Sequence, residues 1–108
     1  MLTDFEQHLD TIRNRTQDEL LRLLKQPPDA FRFEIENIQR GDTCRFEHTL
    51  AEPGQPERPA PMSALLYDLT LQLWEHHMYD GDGEWVQACY HFHRDDDGNY
   101  HNSLTVRF

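Results

Sequence analysis

Two runs of alternating side chains, Trp85–His93 and Tyr100–Phe108, flank Asp95-Asp96-Asp97-Gly98-Asn99 and leave this segment little freedom in how it folds. Successive side chains of a strand point to opposite faces. Val86, Ala88, Tyr90 and Phe92 therefore share one face, and Trp85, Gln87, Cys89, His91 and His93 the other. In the second run Leu104, Val106 and Phe108 oppose His101, Ser103, Thr105 and Arg107. A five-residue loop over 95–99 sets Arg94 across from Tyr100, and the pairs Tyr90 with Leu104, Ala88 with Val106 and Val86 with Phe108 follow. Every apolar residue then meets another. The same register places His93 opposite His101, with His91 further along that polar face.

The preceding segments read in the same way. Thr3 followed by Glu6 matches a capping box, and Phe5, Leu9, Ile12, Thr16, Leu20 and Leu23 then recur at helical spacing up to Pro27-Pro28. A helix over about 4–25 is expected, with a possible break near Asn14–Gln17, where the apolar stripe thins to Thr16. Phe31, Phe33 and Ile35 alternate with charged residues, as do Cys44, Phe46, His48 and Leu50 after Arg40-Gly41. A hairpin over about 31–50 with a two-residue turn, its glycine at positive φ, pairs Ile35 with Phe46 and Phe31 with Leu50. That register sets Glu36 opposite Arg45 and Glu34 opposite Glu47, and like charges directly across a sheet are unfavourable. Residues 51–61 hold four prolines and one glycine and read as a loop. A second helix over about 62–79 carries a broad stripe from Met62 through Leu65, Leu66, Leu69 and Leu73, widened by Tyr67, Leu71, Trp74 and Met78. Trp74 and His76-His77 are expected at the core edge and surface. The whole of 1–108 is then one α+β domain of order α-β-β-α-β-β, an antiparallel sheet with both helices packed on one face.

Composition narrows the function. Ten basic against twenty acidic residues give a formal net charge of −10, with two basic and eight acidic groups between 61 and 108. Such a field repels nucleic acid and anionic membranes and favours a basic partner. No apolar run approaches the ~20 residues that span a bilayer, and the start lacks a signal-peptide pattern, so a cytoplasmic location is expected. Cys44 falls on the inward face and Cys89 on the outward one, which predicts free thiols.

Tests for chemistry find no active site. His91, His93 and His101 on one sheet face form the alternative reading, a metal- or small-molecule-binding cluster. The acidic loops at 80–84 and 95–99 lack the glycine and glutamate spacing of an EF-hand, lie ~30 Å apart at opposite ends of a strand, and read as turns. Cys89 and His91 share a face without an oxyanion donor. Glu34, Glu36 and Glu47 form a possible carboxylate pair, yet on a solvated sheet nothing is expected to raise one pKa. No cofactor fingerprint occurs and none is expected.

The helix closing with Leu24-Lys25-Gln26-Pro27, the strand Phe31-Arg32-Phe33-Glu34-Ile35, the long amphipathic helix and the final Trp85-led hairpin turning at Asp97-Gly98 together resemble the YezG-type immunity proteins of bacterial polymorphic toxin systems. The resemblance implies a non-enzymatic antitoxin that neutralises a cognate toxin, usually a nuclease. Charge and resemblance together nominate Glu34, Glu36, Glu47, Asp80, Asp82, Glu84, Trp85, Asp95, Asp96 and Asp97 as the partner-binding surface, with Trp85 as its aromatic anchor.

Overall fold

The computed structural model describes residues 2–39 and 45–108. The chain runs through α1 (Asp4–Leu24), β1 (Ala30–Gln39), β2 (Arg45–Ala51), β3 (Arg58–Pro59), α2 (Ala64–Asp80), β4 (Gln87–Arg94) and β5 (Tyr100–Arg107). The five strands form one antiparallel sheet in the order β3-β2-β1-β4-β5. Both helices pack on its inner face, as expected of an α+β domain, and no helix among the described residues is long and apolar enough to cross a membrane.

Each helix begins where its capping chemistry dictates. Thr3 and Glu6 satisfy each other's backbone amides at 3.1 and 3.0 Å, so two of the first unpaired donors of α1 are bonded. The helix continues unbroken through Thr16, which is buried, so the thinning of the stripe there does not interrupt it. Before Pro27 the chain leaves the helix through Lys25 at φ 59°. The second helix starts at Ala64 rather than Met62, because Ser63 is the residue whose Oγ accepts from the Leu66 amide at 3.0 Å. Its buried face is Leu66, Leu69, Thr70, Leu73, Trp74 and His77, while Met62 and Leu65 are exposed.

The two helices are bolted together through Glu19. Its carboxylate accepts two bonds from Arg22, at 2.6 and 2.8 Å, and a third from the Ser63 hydroxyl at 2.6 Å. The same serine that caps α2 thus anchors it to α1. These bonds, with Arg22 first and Ser63 next, hold the Glu19 carboxyl down to about 2.

Strand pairing follows the final-hairpin register, with Arg94↔Tyr100, Tyr90↔Leu104, Ala88↔Val106 and His93↔His101 all directly opposed. The ladder stops at Gln87↔Arg107, so Val86 with Phe108 is not part of it. The first hairpin departs by two residues from the expected pairing. Phe33 faces Leu50, Ile35 faces His48, and Asn37 faces Phe46, with an irregularity between Asn37 and Gln39. The strand β1 ends at Gln39, where a two-residue turn would also have ended it, but Gln39 pairs with Arg45, so the connection to β2 is longer than two residues. The turn itself, Gly41 and the inward placement of Cys44 lie outside the described residues. A consequence is that Glu36, not Glu34, stands across from Glu47. The proline-rich segment is also not all loop, since Arg58 and Pro59 pair with Leu50 and Thr49 as a short outer strand.

The core is Ile12 and Leu20 from α1, Leu66, Leu69, Leu73 and Trp74 from α2, and Phe31, Phe33, Ile35, Phe46, Leu50, Ala88, Tyr90 and Phe92 from the sheet. Trp85 belongs with them at 0 % exposure, which corrects its expected place on the open face. It precedes the first residue of β4, so strand alternation does not govern it, and it packs against Phe46 at 5.4 Å. Asn37 fastens this junction, donating from Nδ2 to Glu84 at 3.0 Å and to the Trp85 carbonyl at 3.2 Å. His76 and His77 are likewise buried, not at the surface. Burial also pushes His48 down to about 4, where its ring stacks on Phe33 and bonds Thr70.

Trp85→Ala is expected to cost about 3–5 kcal/mol in urea unfolding, the range for emptying an aromatic core site; an exposed anchor would leave the midpoint almost unchanged. Because the folded carboxyl of Glu19 titrates below its ordinary 4.5, its stabilisation is present above that value and lost as the pH falls toward about 2. Glu19→Gln should therefore lower the urea midpoint at pH 7, with the gap to the parent closing between pH 4.5 and about 2.

Candidate functional site: an acidic hollow on the open sheet face

The residues between the inward-facing ones of β1 are Arg32, Glu34 and Glu36, and they stand on the face that the helices leave uncovered. The neighbouring strand adds Glu47 and Thr49 on the same face, and β4 adds Gln87. Directly before β3, Glu57 reaches over from the outer edge. Glu34, Glu36, Glu47, Thr49, Glu57 and Gln87 together line a hollow of about 350 Å³. Four carboxylates on one small concavity repel one another, so the arrangement is an electrostatic cost that the fold carries.

Glu34 feels this most. Its side chain is 18 % exposed. Burial first, then a hydrogen bond and the charge of Glu57, then the charge of Glu36, raise its pKa above the ordinary value of 4.5, while Arg32 partly offsets them. The Arg32 Nε lies 3.4 Å from Glu34 Oε1 at the margin of the hollow. This overturns the expectation that nothing on an open sheet lifts a glutamate here. The missing contributor was Glu57, which β3 brings to the face from the proline-rich segment. Cys89 lies opposite Glu34, and burial together with the Glu34 charge pushes its thiol up to about 11. It is a free thiol and carries no thiolate at neutral pH.

The other nominated residues divide. Asp80, Asp82, Asp96 and Asp97 are exposed in two separate turns, at opposite ends of β4 and away from the hollow. Asp95 is occupied in building its loop: one oxygen accepts from the amides of Asp97 and Asn99 at 2.9 and 3.0 Å, and the other meets His101 at 2.6 Å. The His101 bond, foremost among these, lowers the Asp95 pKa. Glu84 is occupied as well, accepting from Asn37 at 3.0 Å and from Trp74 Nε1 at 3.4 Å. Trp85 is core. Of the ten, Glu34, Glu36 and Glu47 meet in one concavity, joined by Glu57, which alternation could not place, while Asp95, Asp96 and Asp97 line a second hollow of about 470 Å³ that Arg94 also lines.

The three histidines share the sheet face without converging on one point. His93 and His101 stack with centroids 5.2 Å apart, His101 bonds Asp95, and His91 lies against Thr105 Oγ1 at 3.2 Å. Among the described residues no group of three or more His, Cys, Asp or Glu side chains is arranged to hold a metal ion. No protein-family model and no curated protein sequence matches the chain.

Since its folded pKa is raised, the charged form of Glu34 opposes folding: its favourable contribution is full below about 4.5 and is lost as the pH rises through the folded value. Glu34→Gln is expected to raise the urea midpoint at pH 7, and the gain should fade as the pH falls through the folded value toward 4.5 and be absent below about 4. An unchanged midpoint at pH 7 would refute the electrostatic strain.

Proposed function

We propose that this domain is a non-enzymatic binding protein of immunity type, which takes the basic surface of a partner protein onto the acidic hollow of its open sheet face. The observation that carries this reading is the convergence of Glu34, Glu36, Glu47 and Glu57 around one concavity. Carboxylates held together against their own repulsion are relieved when a lysine or arginine enters between them, and binding then recovers what folding spent. The formal charge of −10 adds long-range attraction for a basic partner and repulsion of nucleic acid and anionic lipid. The resemblance to YezG-type immunity proteins supplies the partner class, a cognate toxin of nuclease type whose nucleic-acid site is basic, and a cytoplasmic setting.

The interface on this reading has no tryptophan anchor, because Trp85 is internal. Orientation comes instead from the backbone: Glu34 and Glu36 rise from a strand paired on both sides, which fixes the points from which their side chains extend.

The test is co-purification of the tagged domain with the protein encoded beside it, at about 50 and 500 mM salt, together with rescue of cells expressing that protein. Binding should weaken at the higher salt, and the double variant Glu36→Lys, Glu47→Lys should bind at least about tenfold more weakly while remaining folded. An acidic partner, or a basic one that binds the double variant equally well, would sink the proposal.

A further inference from the structure

A second cation-seeking feature lies in the helical layer, away from the sheet face. The start of α1 crosses the end of α2, and two hollows of about 480 and 200 Å³ flank the crossing. Both are lined by His8, His76 and Asp80; Asp4 and Phe5 complete the larger one, and no lysine or arginine lines either. The walls are aromatic. Phe5 stacks on His76 with centroids 4.1 Å apart and an interplanar angle of 16°, and His8 meets the same ring edge-on at 4.5 Å.

The His76 ring is the independent sign of a ligand. Its side chain is only 4 % exposed, and its Nε2–H donates to the Phe5 carbonyl at 2.9 Å. With that proton committed, a neutral ring turns the lone pair of Nδ1 toward Asp80. Nδ1 is buried without a hydrogen-bond partner, and Asp80 Oδ2 lies 3.4 Å away. Two acceptors therefore face each other where a donor is needed. Asp80 is the last residue of α2 and its side chain is 69 % exposed, so it is free to swing and admit one.

We infer that this crossing is a binding site for a guanidinium group, the arginine side chain of a peptide or protein. A guanidinium presents several N–H donors in one plane, enough to reach Nδ1 of His76 and the Asp80 carboxylate together, with Asp4 adding charge. The site is independent of the acidic hollow and stands or falls without it.

The experiment is an NMR titration of the intact protein at constant ionic strength, following the imidazole nitrogens of His76 and the amides of Phe5 and His8. The probes are N-acetyl-arginine-N-methylamide, free arginine and the blocked citrulline analogue, which has the arginine shape without its charge. Saturable shifts at all three residues with the arginine probes but not with citrulline are expected, and Asp80→Asn should weaken them about tenfold, the loss of one charge-assisted contact. A stronger response to the blocked probe assigns a peptide source, and a stronger one to free arginine assigns the amino acid. The site is refuted if citrulline acts equally, if Asp80→Asn changes nothing while its spectrum stays folded, or if the free protein already carries a proton on Nδ1 that the probes do not disturb.

Discussion

Everything in this domain hangs on the double pairing of β1. The strand is bonded along both edges, to β2 on one side and β4 on the other, and among the described residues it alone joins the two hairpins within the sheet. Its alternation has two products at once. Phe31, Phe33 and Ile35 are driven into the core at 3, 0 and 0 % exposure, each such burial being worth about 1.5–3 kcal/mol. The residues between them, Arg32, Glu34 and Glu36, are thereby forced onto the open face. The acidic hollow is the reverse side of the hydrophobic core, held in place by the same backbone.

That coupling explains how repelling charges persist. Glu36 and Glu47 directly oppose one another, and Glu34 sits beside Glu57, arrangements that a free surface would relax by moving side chains apart. Here the backbone cannot move without unburying Phe33 and Ile35. The helical layer contributes from behind, where Glu19 bonds the N-cap serine of α2 and fixes the angle at which Leu66, Leu69 and Leu73 meet the sheet. Clustered carboxylates, not an aromatic anchor, give the face its character.

Much of this was readable in the residues, and the failures have physical causes. The final hairpin was legible because its loop length is set by Asp95–Asn99 and its apolar residues pair in only one register. The first hairpin slipped by two because periodicity fixes which residues share a face, not how many residues the connection takes; Asn37, polar yet inward-facing, hid its pairing with Phe46. Trp85 was misplaced by carrying alternation beyond Gln87, where the strand begins. Its burial is decided by Phe46 and Asn37, 39 and 48 positions away. The hollow was half visible: Glu34, Glu36 and Glu47 follow from alternation, but Glu57 arrives through a two-residue strand inside a proline-rich segment, where no periodicity announces it. The burial of His76 depends on the crossing of two helices distant in sequence, for which a single chain carries no local signal.

The sheet order also governs how the chain can assemble. Within each hairpin the paired residues are close in sequence, but Phe33 pairs with Tyr90, 57 positions further along the chain, and that ladder must wait until α2 has been traversed. Hairpins form within microseconds once their turns close, whereas a seam of this span is limited by loop closure. The two halves are therefore independent until late in folding, each with a bare edge of seven pairing residues. A strand edge that is complementary to a segment of the same chain is equally complementary to that segment in another copy. The seam between β1 and β4 is thus the place where two chains crowded during synthesis would exchange halves, and the speed with which α2 docks on α1 decides whether the partner at that seam is the chain's own.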